Sequence, residues 1–209
     1  MALALILTGI ALFLAIGIFA VARSRAPDVT MRVYLASGTL SAILLLLALG
    51  HLLFAGGVGQ GLVLPLGLPW MGAHFRLDPL AAFFLAVVNL GGATASLYGL
   101  GYGRHEGAPA RVLPFFPAFL AGMNLVLVAD DAFAFLLAWE FMSLASWALV
   151  MAHHRDADNA HAGYVYLVMA SFGTLSLLLA FGLMAGPSGG YAFEAIRSAY
   201  LPPGTSALR

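Results

Sequence analysis

The sequence predicts an all-α, polytopic membrane protein with about six transmembrane helices, and three observations carry that reading. Hydrophobic residues make up 62% of the 209 residues and charged residues 9%, a composition foreign to soluble domains. The apolar residues gather into six runs, Ala2 to Ala22, Tyr34 to Ala55, Pro79 to Tyr102, Leu113 to Ala129, Ala132 to Ala152 and Gly163 to Ala185. Each is close to the roughly 20 residues that a helix needs to cross the hydrocarbon. Charge is kept out of these runs, with Glu140 the exception.

The first run lacks a basic start, exceeds the ~7–15 apolar residues of a secretory leader and is followed by arginines, so it reads as an uncleaved first span. Between helices two and three, Leu62, Leu64, Leu66 and Leu68 alternate with Val63, Pro65, Gly67 and Pro69. That alternation with prolines and glycines predicts a short extended hairpin near 57–78 on the outer surface. Asp78 before Pro79 is a helix start, because a carboxylate caps exposed N–H groups and proline at the first helical position forfeits no bond. Asp130 and Asp131 are expected to cap helix five in the same way. Pro114 and Pro117 fall in the first turns of helix four, where proline is tolerated and no functional kink is implied.

The nine basic residues are all arginine, since the chain has no lysine. Arg23, Arg25, Arg32, Arg104, Arg111 and Arg155 follow helices one, three and five, whereas Arg76, Arg197 and Arg209 follow helices two, four and six. By the positive-inside bias the first set is cytoplasmic and the N-terminus lies outside.

Helices in lipid associate through small residues and shared hydrogen bonds. Gly91, Ala95 and Gly99 on helix three are expected to form such a close-packing face. Ser37 and Ser41, Asn89 and Thr94, Asn124, and Ser171, Thr174 and Ser176 can hydrogen-bond between helices, giving the bundle a polar interior. His51, near the outer end of helix two, is expected to be interfacial or hydrogen-bonded.

At 100° per residue, Leu136, Glu140, Ser143, Trp147 and Met151 share one stripe of helix five, which continues to His154 at the cytoplasmic end. A carboxyl group near the midplane is costly unless it is protonated, paired or facing water, and is a functional candidate for that reason. If its charge follows a movable partner it acts as a proton switch, with Ser143 and His154 as further relay candidates. The alternative is a protonated Glu140 that locks the bundle through Asn124 or a serine. The loop holding His153, His154 and His161 reads as a solvated interface, and no metal site is expected there because adjacent histidines do not readily ligate one ion. Zero cysteines exclude disulfides and thiolate sites. No phosphate-binding loop, nucleophile elbow or nucleic-acid patch is present, so no cofactor, catalytic centre or nucleic-acid partner is expected.

The stretch from Phe116 to Ala185 holds Met123-Asn-Leu before Ala129-Asp-Asp, then Leu137-Ala-Trp-Glu-Phe-Met-Ser-Leu-Ala-Ser-Trp, then Gly163-Tyr-Val-Tyr-Leu-Val-Met. With these motifs, and with Leu77-Asp78-Pro79-Leu80 after the hairpin, the chain resembles the antiporter-like membrane subunits of complex I and its relatives. Within that group it is most similar to the large membrane subunit of hydrogenase-4 and formate hydrogenlyase, followed by the multi-subunit cation/proton antiporters. The resemblance implies the N-terminal part of a 14-helix antiporter-like fold: residues 1–111 the first three helices with their hairpin, and residues 112–209 the start of the first proton-translocating repeat. It also implies that Glu140 matches a glutamate that pairs with a lysine on a broken seventh helix; read from the residues alone, Asn124, Ser171 and Thr174 are expected to be supporting polar groups. This chain stops before that helix and has no lysine. It is therefore read as a fragment, or as one piece of a split protein, whose partners are other membrane subunits and a lysine-bearing remainder in a prokaryotic plasma membrane. The expected function is a membrane subunit of a proton-translocating hydrogenase or NADH-quinone oxidoreductase complex. The alternatives are a sodium/proton antiporter component and a non-conducting structural piece.

Overall fold

The computed structural model describes residues 1–67, 72–103, 109–185 and 190–200. In chain order the elements are α1 (Ala2–Ala22), α2 (Val29–Phe54), β1 (Gln60–Leu64), β2 (Ala73–Leu77), α3 (Pro79–Tyr102), α4 (Phe115–Val128), α5 (Ala132–Val150), α6 (Ala157–Ala185) and the short α7 (Phe193–Tyr200). The first six helices are long and apolar enough to cross a membrane, α4 and α5 being extended by 3-10 turns at Pro109–Arg111 and Met151–His153. The chain is a multi-pass membrane protein.

Two helices start earlier than their apolar runs. α2 begins at Val29 rather than Tyr34, because Arg32 pairs with Asp28 one turn away and carries the helix through a charged turn. α6 begins at Ala157 rather than Gly163: the Asp158 N–H donates to the Asp156 carboxylate at 3.1 Å, so the polar segment read as a loop serves as the helix start. The hairpin is a two-stranded antiparallel ribbon with Leu62 opposite Phe75 and Leu64 opposite Ala73. Its second strand turns Ala73, Phe75 and Leu77 into the core and His74 and Arg76 away from it. Gly72 takes a φ of +70°, and a Cβ there would stand 2.9 Å from the Leu64 carbonyl oxygen. Leu68 and Pro69 lie outside the described residues, as do Arg104 and Arg209.

The core joins Leu3, Ile6, Ile10 and Phe13 of α1 to Leu44 of α2, Leu85 of α3, Leu120 and Val128 of α4 and Leu77 of the hairpin. The interface between α2 and α3 does not use Gly91 and Ala95, which face outward. It uses Gly92, Ser96, Gly99 and Gly103: a Cβ on Gly92 would meet Ser41 Oγ at 2.7 Å, and one on Gly99 would meet the Tyr34 ring at 2.5 Å. Of the predicted face only Gly99 lies in the contact, because a one-residue change turns the stripe by 100°.

Asn89 and Asn124 are fully buried. Asn89 Nδ2 donates to Asn124 Oδ1 at 2.6 Å and to the Leu85 carbonyl oxygen at 2.8 Å, tying α3 to α4. Removing one partner strands the other in an apolar interior, which costs about 1–3 kcal/mol. A cycle of Asn89→Leu, Asn124→Leu and the double variant, followed by unfolding in mixed micelles, is expected to give a coupling of about 1 kcal/mol, the upper range for such pairs in lipid.

Candidate functional site

α5 is placed by its first residue. Asp131 is fully buried. Its Oδ1 accepts the Ala134 N–H at 2.7 Å and its Oδ2 the His74 N–H at 2.7 Å. One carboxylate therefore caps the helix and clasps the hairpin to it. Asp130 does not cap, contrary to expectation. Its carboxylate lies 3.1 Å from Arg76 Nε, its N–H donates to the His74 carbonyl oxygen at 2.8 Å, and its own carbonyl accepts the Phe193 N–H at 3.1 Å. Arg76 also pairs with Asp78 at 3.2 Å. The Ala132 N–H donates to the Tyr191 carbonyl oxygen at 2.9 Å, so hairpin, α5 and the approach to α7 meet in one polar knot. The sequence signals for this knot were the Asp130-Asp131 doublet between two apolar runs and the i, i+2 placement of His74 and Arg76 on a strand.

Burial raises the Asp130 carboxyl above its ordinary 3.8; Arg76, Arg197 and His74 pull the other way, and Asp78 adds to the rise. The folded chain thus holds a proton that the unfolded chain has released, so this group's contribution to stability falls as pH rises through the window above 3.8. Asp130→Asn is expected to remove that component of the pH slope, read from unfolding midpoints at pH steps between about 3.5 and 6.

Glu140 occupies the middle of α5 and is half-buried, with its Oε1 buried and without a hydrogen-bond partner. Ser143 is 6% exposed. The stripe does not run on to His154: the helix gives way to the Met151–His153 3-10 turn, whose tighter winding breaks the periodicity. His154 is exposed, its Nδ1 3.1 Å from the Met151 carbonyl oxygen.

Asn124 is not brought to Glu140. α4 and α5 touch where a Cβ on Gly122 would lie 2.8 Å from Met142 Cα. Asn124 and Glu140 are each two residues, or 200°, around from that contact, and Asn124 is turned to α3. The polar groups of α6 divide. Ser171 is exposed, while Thr174 is half-buried with its hydroxyl donating to the Ala170 carbonyl oxygen at 3.2 Å. Leu136 of α5 and Leu178 of α6 line one cavity; Glu140 follows Leu136 by four residues and Thr174 precedes Leu178 by four. Thr94 and Ser176 bond back to their own helices rather than across the bundle.

An aromatic cluster that sequence reading missed lies one turn above Glu140. Phe135 stacks on Trp139 at 5.8 Å and meets Phe181 at 5.9 Å and Phe193 at 6.1 Å. It pins α6 and α7 to the helix that carries the carboxylate.

Six apolar helices long enough to cross a membrane, a mid-span carboxyl on α5, and a hairpin clasped to the start of α5 define the class of multi-pass membrane proteins. Residues 129–207 match the family described as "NADH:quinone oxidoreductase/Mrp antiporter, TM". Over 131 residues the chain is 40% identical to "Hydrogenase-4 component B" of Escherichia coli (strain K12), a match covering 62% of this chain and 19% of that protein. A chain of the Mrp complex from Dietzia sp. DQ12-45-1b superposes with a TM-score of 0.68 at 28% identity, covering 90% of this chain and 20% of that one. A chain of the membrane-bound sulfane sulfur reductase, an archaeal respiratory membrane complex, superposes with a TM-score of 0.77 at 23% identity, which speaks for the fold alone; 95% of this chain and 30% of that one are covered. The chain is thus a relative of the antiporter-like membrane subunits, and it spans between 19% and 30% of the length of these three proteins.

Proposed function

We propose that this chain is a membrane subunit of a proton-translocating respiratory complex of the hydrogenase-4/formate hydrogenlyase or NADH-quinone oxidoreductase type, and that Glu140 is its proton-carrying group. One observation supports the site above others: a carboxyl oxygen, Glu140 Oε1, is buried without a partner in the middle of a spanning helix, where an unpaired carboxyl marks a pathway. Ser143, one turn away on α5, and Thr174 of α6 would be its supporting polar groups. A lysine partner would come from another segment or subunit, since these 209 residues contain none. Residues 112–209 would form the start of a proton-translocating repeat, residues 1–111 its supporting helices, and other membrane subunits its neighbours.

The arginine bias supports a plasma-membrane orientation with the hairpin and the N-terminus outside. Of the described arginines at the hairpin end, Arg76 is paired with Asp78 and Asp130, and Arg197 with Glu194 at 3.0 Å, so little free positive charge opposes that orientation. Similarity to the Mrp complex supports the second reading, a sodium/proton antiporter component. The assembled complex in proteoliposomes, with dyes for proton and sodium flux, tests both. Proton flux that Glu140→Gln abolishes supports the site, and flux that survives the change overturns it. A flux that requires sodium and no electron donor selects the antiporter.

A further inference from the structure

α1 and α2 touch in their hairpin-side halves, where a Cβ on Gly9 would stand 2.6 Å from Leu44 Cδ2. Beyond that contact a groove of 680 Å³ runs along the seam between them, with Leu12 and Phe19 of α1 on one wall and Arg32, Leu35, Thr39 and Ile43 of α2 on the other. Leu12, Leu35 and Ile43 are half exposed, so no described part of the chain covers it. The Thr39 hydroxyl donates to the Leu35 carbonyl oxygen at 2.8 Å, which leaves the walls apolar except at one end, where Arg32 stands. From Arg32 to Ile43 the groove follows α2 for about 16 Å, half of the roughly 30 Å hydrocarbon thickness. A further spanning helix needs the whole thickness; an acyl chain of one leaflet needs half.

The Arg32 end of the groove is positive. Arg23 follows Phe19 by one turn of α1 and Arg25 lies in the turn that joins the helices; both are exposed, both line one hollow there, and neither forms an ion pair among the described residues. Asp28, the one carboxylate between Ala22 and Arg32, is already paired with Arg32. We infer that the groove binds an anionic phospholipid of the leaflet opposite the hairpin, with one acyl chain along Phe19, Leu35, Leu12 and Ile43 and the headgroup phosphate held by Arg32, Arg23 and Arg25. The two free arginines outweigh the repulsion that Asp28 offers to a phosphate, and basic groups between spanning helices on the cytoplasmic side suit such headgroups. A partner helix fits this end poorly, because its own cytoplasmic flank carries basic residues and would meet like charge. None of the lining residues belongs to α5 or α6, and the inference is independent of the proton role of Glu140.

The test uses the assembled complex in phosphatidylcholine vesicles that contain a minor share of phosphatidylglycerol carrying a photoactivatable diazirine on one acyl chain, and peptide masses read the labelled residues. A diazirine near the glycerol is expected to label Phe19 and Leu35, and one at the chain end to label Leu12 and Ile43. Labelling by phosphatidylglycerol is expected to exceed that by the matching phosphatidylcholine probe about tenfold, as two or more basic residues at an anionic headgroup give. Arg32→Gln, which also leaves Asp28 uncompensated, is expected to lower the labelling at least about fivefold. Leu35→Trp fills the groove without touching the charges and is expected to lower it as far. Equal labelling by the two lipids means an unselective lipid shell and overturns the inference, as does a reversed order of depth. So does labelling that survives both substitutions, or a groove that stays unlabelled because another helix of the complex covers it.

Discussion

Proton translocation by the assembled complex is expected to fall at least about a hundredfold when Glu140 is replaced by glutamine, the lower end of what a positioned proton-transfer group contributes. Glutamine keeps the length, the shape and a hydrogen-bonding head, and loses only the ability to take up and release a proton. That makes it the discriminating substitution. If Glu140 were a protonated lock between helices, the amide would hold the bundle equally well and flux would persist. Stability is expected to move by less than about 1 kcal/mol in either case, because no partner of Glu140 Oε1 is lost. Glu140→Asp retains the chemistry but withdraws the carboxyl by one methylene, and should give an intermediate flux; a proton-sensitive dye in the vesicle lumen reads all three proteins. Retained flux in Glu140→Gln alongside a severe loss in Glu140→Asp would point to packing rather than proton carriage.

Asp131→Ala is expected to be the most damaging single change to the fold, at about 2–5 kcal/mol. It removes the helix cap, the acceptor of the Ala134 N–H, at about 1–2 kcal/mol, and leaves the His74 N–H without its acceptor at about 1–3 kcal/mol. Asp131→Asn keeps one acceptor oxygen and should recover about half of the loss. Hydrogen exchange separates the two roles: the Ala134 amide reports the cap and the His74 amide the clasp, and both are expected to lose protection in the alanine variant. An alanine variant with both amides still protected would show that the backbone bonds of Asp130 and Ala132 to His74 and Tyr191 suffice.

The spans were legible because lipid enforces a simple rule: a run of some twenty apolar residues has no other stable backbone solution. The ends were less so, since polar residues such as Arg32 and Asp156 can continue or start a helix once a neighbour satisfies them. Helix faces were the least legible. In water the buried face announces itself by hydrophobicity, whereas in a bilayer both faces are apolar, and the choice of Gly92 over Gly91 depends on fit against Ser41 and Tyr34. The same ambiguity hid the side on which Asn124 points. Glu140 stood out because it is the one charge in an apolar run, while the knot at Arg76, Asp130 and Asp131 is assembled from residues far apart in sequence, and only the fold brings them together.

The Asn89–Asn124 bond bears on how the protein is made. A lone α3 or α4 released into lipid carries an amide that reaches only a carbonyl of its own helix, Leu85 or Leu120, and each would linger at the insertion machinery or find a wrong mate. Packed against each other through this bond, the two helices cancel each other's defect at once. They are in that sense a single unit of biogenesis, and a substitution at either asparagine would be felt first as a fault in synthesis, before any question of transport arises.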